Sequence, residues 1–83
     1  MEQLIGKISH YFGKISVGII DIAAGELAVG DTIHIKGKHT DFSQKVDSMQ
    51  LEHAPVSKAT AGQSIGIKVA QPVHENDQVL KVT

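Results

Sequence analysis

Every apolar segment of this chain reads as strand. Over residues 32–36, Ile33 and Ile35 face one side while Thr32, His34 and Lys36 face the other. Residues 64–69 repeat the pattern, with Ile65, Ile67 and Val69 opposite Ser64, Gly66 and Lys68. A period of two sends alternate side chains to opposite faces of a pleated strand, so each run predicts one buried face. Residues 4–9 and 14–22 are rich in β-branched side chains, which lose rotamer freedom in helices and fit a pleated surface. Residues 44–51 and 78–82 are two further strand candidates. No window carries a 3.6-residue period; the nearest helical rival, residues 56–61, is short and ends at Gly62.

The breaks between these runs are turn chemistry. Gly13, residues 25–31, Gly37, the stretch from Pro55 to Gly62, and residues 72–77 separate the six segments. Gly tolerates positive φ and Pro cannot donate to a ladder, so both punctuate strands. Six short strands joined this way predict an all-β fold, a six-stranded closed antiparallel Greek-key β-barrel, because closure removes both sheet edges. The second strand changes parity: Ile15, Val17 and Ile19 share one face, Ile20 and Ile22 the other. A bulge at Gly18 would carry the apolar face across; the alternative is that the first set points outward. Val46 and Met49 raise the same question for residues 44–51.

Composition narrows the function classes. The 83 residues allow one domain, residues 1–83. A formal net charge of −1 gives no nucleic-acid-style excess, and all eight basic residues are Lys. The absence of Cys excludes disulfides, thiol catalysis and Cys-based metal sites; in so small a domain it favours the cytoplasm. No apolar run approaches the roughly 20 residues of a membrane span, and the N-terminus has no basic-then-apolar leader, so neither membrane association nor secretion is expected.

Candidate chemistry is sparse. Gly25-Glu-Leu-Ala-Val-Gly30-Asp31-Thr32 has the outline of a phosphate loop, but Asp31 occupies the Lys position and the segment runs into a strand. Five His residues, at 10, 34, 39, 53 and 74, include no His-x-x-x-His pair; His34 and His39 straddle Gly37 and could approach each other. Ser9 and His10 are neighbours on a strand and so point apart. Asp21, Glu26 and Asp31 read as a solvated turn. No catalytic residue, metal ligand or cofactor is therefore assigned, and the protein is read as a non-enzyme. Lys36, Lys38 and His39, with Lys45 on the next strand, form the most basic stretch and could meet RNA phosphates. Tyr11 and Phe12 are the one aromatic pair, placed either as a plug for the barrel end or as a stacking platform.

In chain order, several segments resemble domain 2 of the translational GTPases, the barrel of elongation factor Tu and its relatives. The carrying residues are Gly6-Lys7-Ile8, Gly13, Gly25-x-Leu27-x-x-Gly30-Asp31-x-Ile33-x-Ile35, Val46-Asp-Ser48-Met49-Gln50, Ala61-Gly62-Gln-Ser64-Ile65-Gly66-Ile67 and Asp77-Gln-Val79-Leu80. The resemblance implies a non-catalytic binding module without GTPase activity of its own. Its implied partner is a translation or RNA-processing component: the ribosome, tRNA or a GTPase-domain protein, with no DNA and no membrane. Gln50 and Ser64 stand where elongation factor Tu contacts the aminoacylated end of tRNA. The expected contacts are thus Tyr11, Phe12, Lys36, Lys38, His39, Lys45, Gln50 and Ser64. The alternative is a protein-docking subunit or accessory domain of a larger enzyme: a GTPase, or a collagenase-like peptidase or tRNA-modifying enzyme, on which similar barrels occur.

Overall fold

Alternation along the chain becomes pairing in a computed structural model that describes residues 1–52 and 54–82. The elements are β1 (Glu2–Phe12), β2 (Val17–Ile22), β3 (Glu26–Ala28), β4 (Thr32–Lys36), β5 (Asp41–Lys45), β6 (Met49–Leu51), β7 (Ala54–Val56), β8 (Lys58–Thr60), β9 (Ser64–Lys68) and β10 (Gln78–Val82). All are strands; the described residues form no helix. Eight make one antiparallel sheet in the order β5-β4-β10-β1-β2-β9-β6-β7, and β3 pairs with β8 as a separate ribbon. The inward side chains, among them Ile8, Ile20, Ile33, Ile35, Ile67 and Val79, are fully buried. Leu27 and Ala59, from the ribbon, complete the same core.

The long first strand bends twice. Its register slips between Leu4 and Gly6 against β10, and between Ile8 and His10 against β2. Each extra residue increases twist and bends the strand. The second slip also reverses parity: Gly6 and Ile8 lie opposite the inward Ile22 and Ile20, whereas beyond Ser9 Tyr11 lies opposite the inward Gly18. Gly6 is obligatory here, because a Cβ would collide with the Asp21 carbonyl.

Two expectations are corrected. No bulge occurs at Gly18. β2 alternates strictly from Val17 to Ile22 and stays in register with β9, so the bends fall on β1 instead. Gly18 is buried, with room for little more: a Cβ would stand 3.2 Å from Val73 Cγ2. Val17 and Ile19 consequently face outward. The six-stranded closed barrel is also not found. The candidate strand at 44–51 breaks into β5, paired with β4, and β6, paired with β9. Between them Val46 turns inward and binds Asp31 and Gly30 through its backbone, which explains the mixed parity. Residues 56–61 take in the end of β7, all of β8 and the start of a turn rather than a helix.

The ladder therefore ends at β5 and β7, and among the described residues no strand pairing joins the ends. Gln44 of β5 bridges to the end of β9 instead. Its amide nitrogen donates to the Lys68 carbonyl at 2.9 Å, and its amide oxygen accepts from Ala70 N at 2.8 Å. The carboxamide stands in for a peptide group across this seam. Replacing Gln44 with Ala is expected to destabilise the fold by about 1–2 kcal/mol, two exposed-site hydrogen bonds' worth. Denaturant melts read the loss, and hydrogen exchange should show the Ala70 amide losing protection; unchanged exchange there would mean that the bridge does not hold the seam.

Candidate functional site

The outward face of β2 forms the floor and one wall of a trough. Val17 and Ile19 are half-buried on it, and the neighbouring Ile15 and Phe12 are more than 40% exposed, at 59% and 45%. Across the ladder Ile19 meets Gly66 of β9, and Gly66 in turn meets Gln50 of β6. With no side chain at Gly66, space opens between Ile19 and Gln50; a Cβ there would touch Val17 Cγ1 at 3.3 Å and Ile19 Cδ1 at 3.4 Å. Phe12, Ile15, Glu52 and Ser64 complete a cavity of about 310 Å³. Ser64 Oγ donates to Asp21 Oδ1 at 2.6 Å and closes one end. The ring of His10, beside Ile19 in the ladder, packs edge-on against Phe12 at 4.4 Å between centroids.

The expected contact residues divide between this trough and the opposite side of the sheet. Phe12, Gln50 and Ser64 come together. Tyr11 does not join Phe12; it turns inward and packs partly buried against the core, as adjacent positions on a strand must. Lys36, Lys38 and His39 sit at the β4–β5 turn and Lys45 at the far end of β5; β4 lies three ladders from β2. Lys36 faces Asp41 across its ladder, which dilutes the basic stretch. The trough's apolar lining, Ile15, Val17 and Ile19, was missed as a site. Its signal was the doubled apolar parity of the second strand, which sequence reasoning spent on a bulge.

Several other titratable groups hold turns and ladders. Asp31 accepts from Ala28 N at 2.9 Å and pairs with Lys81 at 3.3 Å, while Glu26 pairs with Lys58 at 3.1 Å. With Asp21 bound to Ser64, the three carboxylates of the sequence cluster go to three different partners. Asp77, nearly fully buried, accepts from His74 N at 2.9 Å. His34 and His39 do not approach each other: His39 lies edge-on to His74 at 6.3 Å. His53 falls outside the described residues. Among the described residues no three His or carboxylate groups converge as a metal site. A second concavity, of about 430 Å³ near Leu4 and Ala24, has Lys7 and Asp21 as its ionisable lining.

His34 itself is clamped on the outer face of β4. Its Nδ1 lies 2.7 Å from Glu2 Oε2 and its Nε2 lies 2.5 Å from Asp41 Oδ1. Both nitrogens can donate at once only in the imidazolium form. Donating hydrogen bonds to Asp41 and then to Glu2 raises the His34 pKa above its ordinary value, and accepting the bond from His34 lowers that of Asp41.

With that geometry in place, three relationships define what the chain is like. By fold, it matches the C-terminal domain of a Geobacillus thermoleovorans protein assigned to the U32 peptidases, with a TM-score of 0.89 over 98% of this chain and 93% of that domain at 17% identity. The selenomethionine form of the same domain gives a TM-score of 0.87 over 93% of this chain and 96% of that one, at 16% identity. By sequence, it is 38% identical over 81 residues to a collagenase of Porphyromonas gingivalis, covering 96% of this chain and 22% of the collagenase. It is also 38% identical over 76 residues to an uncharacterized protease of Methanocaldococcus jannaschii, covering 90% of this chain and 18% of the protease. The chain spans about a fifth of the length of the curated relatives it matches. No family model matches it. These findings overturn the resemblance to translation-factor domain 2, and with it the translation or ribosomal partner: the relatives are a collagenase and a protease, and the fold is that of a peptidase's C-terminal domain. Among the described residues no helix is long and apolar enough to cross a membrane.

The His34 clamp sets a pH window for stability. A His whose pKa is raised on folding stabilises fully below its unfolded value of 6.5, and the contribution is lost as pH rises through the folded value. Asp41, lowered on folding, contributes above its unfolded value of 3.8 and loses that contribution as pH falls through the folded one. Stability from the clamp is thus expected to be greatest between pH 3.8 and 6.5. Denaturant melts across pH, with His34→Asn removing the upper slope, read this directly. A slope that survives in the variant would assign the effect elsewhere.

Proposed function

We propose that this chain is a non-catalytic accessory domain of the collagenase or U32 peptidase type, acting through its outer surface as part of, or alongside, a larger peptidase. The observation that carries the reading is the pattern of coverage. Identity of 38% extends over nearly all of this chain but about a fifth of the collagenase, and the same fold was solved as a C-terminal domain on its own. The other four-fifths of the collagenase has no counterpart in the 83 residues, which fits an accessory rather than a catalytic part for the matched fifth. The chemistry of the chain supports the same division of labour: Asp31, Glu26, Asp41 and His34 are engaged in ion pairs and caps, and the trough's ionisable lining is Glu52 alone, beside Phe12, Ile15, Val17, Ile19, Gln50, Ser64 and Gly66. An active site needs converging groups with perturbed acidity in a shielded pocket. The cysteine-free composition supports a cytoplasmic setting.

A chimera tests this. The matching region of the Porphyromonas gingivalis collagenase is deleted, or replaced by this chain, and cleavage of denatured collagen is compared. The deletion is expected to lose activity or solubility, and the graft to restore a substantial part of it, while this chain alone cleaves nothing. A graft no better than the deletion would sink the accessory reading; cleavage by the isolated chain would sink its non-catalytic part.

A further inference from the structure

From the order of charges and shapes along the trough, we infer that it is a self-recognition surface. Two copies of the chain pack face to face, with the two-fold axis lying across β2, so that each copy's Phe12–Ile15 end covers the Gly66 end of the other.

Shape comes first. The trough has a knob and a hole at different positions along one stripe. Phe12 and Ile15 project at the end where β1 turns into β2, and Gly66 leaves a gap further along, between Ile19 and Gln50. A knob and a hole displaced along one stripe fit each other when a second copy is laid on with its direction reversed.

Charge follows the same axis. At the knob end, Lys68 lies opposite Val17 in the ladder, and Lys14 is in the turn that carries Ile15. At the other end are Glu52 and Asp21, with Lys7 opposite Asp21 on the β1 side. One end is net positive and the other net negative. Reversal brings Lys68 of each copy towards Glu52 of the other, twice by symmetry, because an isologous contact pairs i with j and j with i. A partner laid on without reversal would oppose like charges. Beyond the knob end Asp47 and Lys45 line a concavity with Lys68 and offset each other, leaving that end net positive, and the His10 ring is turned towards Glu75 at 3.7 Å.

Area sets the strength. Four strands about 4.8 Å apart and about five residues long at roughly 3.3 Å each give on the order of 300 Å² per copy. Stable complexes bury about 800 Å² per partner, so the expected association is weak, with a dissociation constant on the order of 100 µM to 1 mM.

The test needs this chain and nothing else, so it is independent of the accessory-domain reading. Sedimentation velocity and NMR diffusion are followed from about 20 µM to about 2 mM at low and high salt. Wild type is expected to dimerise with concentration and to weaken with salt. Glu52→Lys and Lys68→Glu, each alone, should weaken the dimer by roughly 2- to 30-fold, two exposed charge pairs being reversed at once. Mixing the two variants should restore association as a heterodimer, since both cross-pairs are then opposite in sign. Gly66→Leu should block the hole and abolish the dimer, with thermal melts confirming that each variant is folded. A wild type that stays monomeric to the highest concentration overturns the inference, and is the result expected if the trough instead covers a segment of a peptidase body. A dimer indifferent to these substitutions, or a mixture no better than its components, overturns it equally.

Discussion

A single sheet can hide an apolar face only by wrapping around it, and this short chain has one large sheet to wrap. The rest of the architecture follows from that demand. β1 must serve β10 on one side and β2 on the other while bending, so it carries two register slips and a glycine at the point of closest backbone approach. The chain must then cross from β4's side of the sheet to β9's, which it does at Val46 by leaving the ladder and turning the side chain into the core. What remains open is a seam between β5 and β9, and a side-chain amide spans it. The exposed end of the sheet at β7 holds Pro55, whose missing N–H blunts an edge that would otherwise recruit further strands.

Those devices explain which parts of the fold were legible. Runs with a buried face, at residues 32–36 and 64–68, declare themselves by period two because burial selects every second side chain. Of the four three-residue strands, β3, β7 and β8 carry no readable period; they exist through their partners, and β7 and β8 hold one buried side chain between them, Ala59. Parity misled at Gly18 and at Val46 for opposite reasons. At Gly18 a strand apolar on both faces imitates a bulge, whereas at Val46 a true break in the strand hides inside an apparently continuous run.

The resemblance to translation factors failed for an instructive reason. Its carrying motifs are turn chemistry. Gly30 and Gly62 adopt φ of 98° and 92°, a region that L side chains avoid, and Asp31 caps the backbone of Ala28 three residues earlier. A small wrapped sheet of any lineage needs a left-handed residue and a capping carboxylate where a strand begins. Such motifs report geometry, so they transferred an all-β antiparallel architecture correctly and a function incorrectly. The site residues drawn from the same resemblance fared according to their position in the sheet: Gln50 and Ser64 flank Gly66 on the outer face, and Phe12 joins them through β2, while the lysines lie ladders away.

β2 is where structure and function meet. Inward, Ile20 and Ile22 are buried in the core, each worth roughly 2–3 kcal/mol of apolar burial. Outward, Val17 and Ile19 do nothing for that core, and a central antiparallel strand with one solvated face would ordinarily carry polar residues there. The opposite strand answers with Gly66, a residue that weakens a strand and offers the core no side chain. An apolar wall and an adjacent glycine make little sense as stabilisation and good sense as a surface shaped to be covered. Asp31, Asp41, Asp77 and His34 are committed to ion pairs and caps elsewhere, so the outer face of β2 with Gly66 beside it is an apolar surface whose side chains the fold itself leaves half-exposed.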